Sequence, residues 1–130
     1  MSAADLSAIM DGLAARGIAY GIPNAYGYPV ESVTVPCLLV DFPDTIELSE
    51  TFQRGGDHVV LSVWHLVGQS FTKDSRDALS LAIQGGADLV DAIEGAYSWG
   101  DVDVVKAEVS TVTIASSTYL GIKLTVDVVT

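Results

Sequence analysis

The spacing of apolar and polar positions divides the chain into segments of different period. Leu6, Ile9, Met10 and Leu13 fall at i, i+3, i+4 and i+7, which puts them on one face of a helix. Ser2 is placed to cap that helix, with Asp5 three residues on, a weak form of the capping box. Gly17 predicts its end. Residues 18–35 interleave Tyr20, Tyr26 and Tyr28 with Gly21, Gly27, Pro23 and Pro29. Irregular chain with a short strand near Ala25–Tyr28 is expected there. Cys37–Phe42 is a compact apolar run between Pro36 and Pro43. Proline has no amide proton to give a ladder, so the two prolines mark the ends of a strand. Thr45–Leu48 alternates weakly and Arg54-Gly-Gly-Asp57 is a turn signal, so a strand leading into a long hairpin loop is expected.

His58–Val67 carries the strongest strand signal. Val59, Leu61, Val63, His65 and Val67 take one face and Val60, Ser62, Trp64 and Leu66 the other. Both faces are largely apolar, which predicts a central strand covered on both sides. Lys73–Gln84 reads as a second helix with Leu79, Ala82 and Ile83 on one stripe and Gly85-Gly86 at its end. A short third helix follows, with Asp88 as cap, Leu89, Val90 and Ile93 packing, and Gly95 as stop. Ser98–Asp101 reads as a loop. Asp103–Ile114 and Tyr119–Val129 are two strands joined by the polar link Ala115–Thr118, a hairpin. The order predicts an α+β domain: an antiparallel sheet of about four to five strands, with the N-terminal helix and two further helices on one face. The 130 residues form one domain, long enough to bury a core without staples.

Charge narrows the picture. Seventeen acids against six bases give a net charge of −11. Proteins that grip DNA displace counterions with Lys and Arg, and the six bases here are scattered, which argues against tight nucleic-acid binding. The longest apolar run, Val35–Val40, contains Pro36 and is far short of the roughly 20 residues of a membrane span. The start, Met1-Ser-Ala-Ala-Asp5, lacks the basic and apolar regions of a signal peptide, so folding in a cytoplasm is expected. Cys37 is the only cysteine, which rules out an intrachain disulfide and predicts a buried, inert thiol.

The candidate chemistry fails on position. Gly68-Gln-Ser-Phe-Thr72 lies between a strand and a helix, as a nucleophile elbow does. Its fifth residue is Thr72 where glycine is needed, and both histidines, His58 and His65, precede Ser70. His58 and His65 are seven apart in one strand, so they point to opposite faces and cannot share a metal there. Asp101 and Asp103 lack the further acids of a calcium loop. Asp41, Asp44, Glu47 and Glu50 read as a solvated acidic stretch. No enzyme activity, metal or cofactor is expected.

Read whole, the chain resembles the tail terminator proteins of long-tailed phages (siphovirus type), especially those infecting actinobacteria. The similarity runs nearly end to end. It includes the helix Leu6–Leu13, Ala25-Tyr-Gly-Tyr-Pro29, Pro36-Cys-Leu-Leu-Val40 and the Arg54-Gly-Gly-Asp57 turn into a long strand. It continues through Thr72-Lys-Asp-Ser-Arg-Asp77, Gly86-Ala-Asp-Leu-Val-Asp-Ala-Ile93 and Tyr119-Leu-Gly-Ile-Lys-Leu-Thr-Val-Asp127. The order and spacing of these segments carry the resemblance. It implies a structural virion protein that forms a ring, usually a hexamer, on the last ring of the tail tube. There it stops tube growth and joins the tail to the connector or stopper proteins of the neck. Six copies would carry about −66 if the acids are ionised, and DNA would slide through the lumen without being held. Asp44, Glu47, Glu50 and Asp57 are the candidates to line that channel. Tyr26, Tyr28, Trp99 and Tyr119 are candidates for contacts with neighbouring subunits or partners. Two other readings stand beside it: another neck component, or a small cytosolic domain that binds a ligand in an apolar pocket around Tyr20, Tyr26 and Tyr28.

Overall fold

A computed structural model describes residues 6–47, 58–69 and 72–130; at 44–47 it describes the backbone. The elements in order are α1 (Leu6–Tyr20), β1 (Asn24–Tyr26), β2 (Cys37–Glu47), β3 (His58–Gln69), α2 (Lys73–Gln84), α3 (Gly86–Ile93), β4 (Gly95–Tyr97), β5 (Gly100–Ile114) and β6 (Ser117–Val129). The six strands form one sheet in the order β1-β2-β3-β6-β5-β4. β1 runs parallel to β2, and the other neighbours are antiparallel. The α+β class holds, but among the described residues the sheet is mixed and has six strands, where an antiparallel sheet of about four to five was expected.

The helices pack on one face. Ile9, Met10, Leu13 and Ala14 of α1 and Leu89 and Ile93 of α3 meet the inward residues of β2, β3, β5 and β6 in one buried cluster. Each fully buried Leu, Ile or Val there contributes about 1.5–3 kcal/mol. On the opposite face Cys37, Leu39, Trp64, Leu66 and Tyr119 form a second cluster, against which Tyr26, Val30, Val33 and Val35 pack. β3 contributes to both clusters, as its two apolar faces predict. α2 joins the first cluster through Leu79 and Ala82.

Several boundaries differ from expectation, each for a local reason. The expected cap Ser2 lies outside the described residues. Gly17 does not end α1. It is buried against β2, where a Cβ would come within 2.7 Å of Leu38 Cδ2. The stop is Gly21, at φ +119°, and its amide and that of Ile22 both donate to the Gly17 carbonyl at 3.2 and 3.1 Å. Pro43 does not end β2. It pairs with Leu61, with a register shift on either side, so a bulge absorbs its missing donor. The N-cap of α3 is Gly85, and Asp88 falls inside the first turn. Ile83 is off the packed stripe of α2 and 53% exposed. Ser98–Asp101 is part of a hairpin: β4 pairs with Gly100–Val102 of β5 around a tight turn at Ser98-Trp99.

Candidate functional site

The expected channel-lining acids are only partly placed. Asp44 and Glu47 belong to the backbone of β2. Glu50 and Asp57, with the expected hairpin loop over 48–57, lie outside the described residues. The four candidate contact aromatics separate into different environments. Tyr119 is buried in the second cluster. The Tyr26 hydroxyl accepts a hydrogen bond from the Thr34 amide at 3.1 Å and so ties down the segment that covers that cluster. Trp99 stacks on Tyr97, with ring centroids 4.7 Å apart and planes 6° from parallel. Tyr28 is 61% exposed and is the most exposed of the four, while Tyr26 and Trp99 are half-buried.

Trp99 and Tyr97 belong to a joint between the helices and the β4–β5 turn. The Tyr97 hydroxyl donates to the Ile93 carbonyl at 2.9 Å. Arg16 of α1 donates through Nε to the Ala92 carbonyl at 2.9 Å, and its guanidinium lies 5.5 Å from the Tyr97 ring centre. A cation and a phenol thus satisfy carbonyls at the C-terminal end of α3, where the helix dipole is negative.

Among the described residues, the two histidines weighed for catalysis are not brought together. Ser70 lies outside the described residues. The uninterrupted register from His58 to Leu66 keeps the two histidines on opposite faces. His58 Nδ1 is 3.3 Å from Asp127 Oδ1. His65 is half-buried, its Nδ1 has no hydrogen-bond partner, and burial pushes its pKa below the ordinary histidine value. Cys37 is fully buried, which pushes its thiol up to about 11 and leaves almost no thiolate at neutral pH. Among the described residues no group of three or more His, Cys, Asp or Glu is placed to hold a metal ion. Tyr20, Tyr26 and Tyr28 do not share a pocket. The Tyr20 hydroxyl reaches the Gly85 carbonyl between α2 and α3 at 3.3 Å, whereas Tyr26 packs on the second cluster.

The described surface also carries two grooves whose linings are mainly apolar. A groove of about 420 Å³ runs between α2–α3 and the outer part of the sheet, lined by Ile83, Leu89, Val90, Ala107, Val109 and Ile122 among others. A second groove, of about 540 Å³, opens on the other face, lined in part by Val30, Leu39, Trp64 and Val112. Val105 and Val109 of β5 are 61% and 56% exposed, and Phe42, Leu81 and Ile83 are exposed as well. The pattern of alternation does not reveal the first groove, because a register shift between Val104 and Lys106 changes the phase of β5 halfway along. The signal in the sequence is the pair Val104-Val105, which breaks the alternation at that point. No helix among the described residues is long and apolar enough to cross a membrane. No family model matches the chain, and no curated protein matches it.

Proposed function

We propose that this chain is a structural assembly subunit, a tail terminator whose ring closes the head-proximal end of a phage tail tube, stops its growth and joins it to the neck. The observation that carries the reading is the run of family-like segments from Leu6 to Asp127 in the family's order. The exposed apolar side chains Phe42 of β2 and Leu81 of α2 support it, because a subunit that works through its surfaces keeps such residues for its neighbours. The acidic balance also suits a ring through which DNA must move without being held. On this reading Asp44, Glu47, Glu50 and Asp57 face the lumen, and the tube and stopper proteins bind the two rims.

Deleting the gene and imaging the particles tests the proposal. Over-long or unjoined tails are expected. Tails of normal length beside heads that leak DNA would assign the chain to a stopper or adaptor instead, and wholly normal particles would remove it from the neck. A ring structure with the four acids on its outer wall would overturn the channel assignment alone.

A further inference from the structure

The two edges of the sheet differ. On one side β1 covers Cys37–Leu39 of β2, and Pro43 interrupts the strand beyond. Short strands and proline are common means of closing an edge to further pairing. On the other side β4 covers only Gly100–Val102 of β5. The Val104 amide is taken by Glu94 Oε2 at 2.9 Å. From Val105 to Thr113 the strand has a partner on one side alone among the described residues, and it holds no proline.

The hairpin turn fixes which backbone groups face outward. Ala115-Ser116 is a two-residue turn, so Ile114 and Ser117 are a hydrogen-bonded pair. Alternate residues of β5 from Ile114 back to Lys106 therefore bond to β6. The N–H and C=O groups of Ala107, Val109, Thr111 and Thr113 point away from it. This is a template for one more strand.

The residues along the template read the same in both directions once charge is exchanged: Val105-Lys-Ala-Glu-Val109. An antiparallel second copy centred on Ala107 sets Val105 opposite Val109, Lys106 opposite Glu108 and Ala107 opposite itself. Both charges find their complement, and the two exposed valines cover each other. Lys106 Nζ and Glu108 Oε1 already lie 3.4 Å apart within the chain, half exposed and on the same face, ready to exchange partners. The two-fold axis stands perpendicular to the sheet, so both sets of helices fall on the same side. The grooves beside Val109, lined in part by Ile83 and Val90, then lie on the same side of the joined sheet.

We infer that the free chain pairs with a second copy of itself through β5, in antiparallel register about Ala107, forming one continuous twelve-stranded sheet. The contact is isologous and does not rest on the tail reading, because ring closure needs head-to-tail surfaces elsewhere on the subunit.

Sedimentation equilibrium of the full chain tests this, with circular dichroism as the check that each variant is folded. The wild type is expected to dimerise. Lys106→Glu and Glu108→Lys each place two like-charge pairs across the two-fold and should weaken the dimer roughly ten- to a hundredfold. Mixing these two variants should restore it, because a heterodimer sets the two acids of the first variant opposite the two lysines of the second. Ala107→Pro should abolish pairing while keeping the fold, since the lost amide points away from β6. A dimer or larger ring indifferent to the charge changes would overturn the inference. So would a chain still monomeric at about 200 µM, which would leave the edge to a strand from another protein.

Discussion

Gly12 lies where α1 crosses the β4–β5 turn, and a Cβ built there would overlap the Trp99 ring. Gly12→Ala would gain about 1 kcal/mol of helix propensity. It must also displace a ring stacked on Tyr97 and held by a tight turn, and such overpacking costs about 1–3 kcal/mol. The overlap should win, seen as a lower denaturant midpoint and a shifted tryptophan emission. Gly86 gives the opposite result. Nothing lies within 4 Å of a Cβ there, so Gly86→Ala at the start of α3 should stabilise by about 0.5–1 kcal/mol. His65 predicts a pH dependence. Burial lowers its pKa from the ordinary 6.5, so the unfolded chain binds the proton more readily than the folded one. The stability this contributes is complete above about pH 6.5 and is lost as pH falls from there through the lower folded value. His65→Phe should flatten that part of the acid limb in denaturant titrations at pH 7 and pH 5. An unchanged slope would mean that the histidine is solvated. Cys37 should stay unreactive to a thiol reagent at pH 8 until the protein unfolds.

At the scale of elements, the β5–β6 turn is the least suited to its geometry. Ala115 and Ser116 have φ of +50° and +72°, values that favour Asn-Gly and strain residues with a Cβ. Replacing the pair by Asn-Gly should raise stability by about 0.5–1 kcal/mol with the slope of denaturant unfolding unchanged. The hairpin itself was legible, because β6 alternates cleanly and the link between the strands is small and polar. β3 was legible for the same reason, with ten residues of period two and both faces apolar. α2 and the packed face of α1 followed from their spacing. Other features could not be read from local pattern. Gly17 looks like a helix stop, yet it serves a close approach to Leu38, and nothing within α1 announces that contact. β4 is three residues long and exists because β5 extends far enough to receive it. The bulge after Val104 reverses the faces of β5, so the groove beside Val109 follows from the sheet and not from the strand. Of the candidate contact aromatics, Tyr119 is buried in the second cluster and Trp99 stacks on Tyr97, a distinction set by packing between distant segments. The expected acidic loop lies mostly outside the described residues, and its place in the molecule rests on the sequence.

Across the whole molecule the charge is one-sided. The described bases are all engaged locally: Lys73 and Arg76 both sit on Asp77, Lys106 on Glu108, Lys123 over the Trp64 ring, and Arg16 at the end of α3. Exposed pairs of this kind add little, because solvent and salt screen them, and they leave a net charge of −11 spread over a chain of 130 residues. That excess repels itself in the folded state, where the acids are closest together, and less in the expanded unfolded chain. Screening should therefore stabilise the fold. The Debye length falls from about 30 Å at about 10 mM salt to about 8 Å at about 150 mM, from longer than the radius of such a folded chain to shorter. The thermal midpoint should rise over that range by a few degrees, corresponding to about 1 kcal/mol, and equally in sodium and potassium chloride if screening is the cause. Self-association should strengthen over the same range, because two chains of like charge must approach before Lys106 and Glu108 can meet their partners. A midpoint that falls with salt would show that the local ion pairs outweigh the net repulsion.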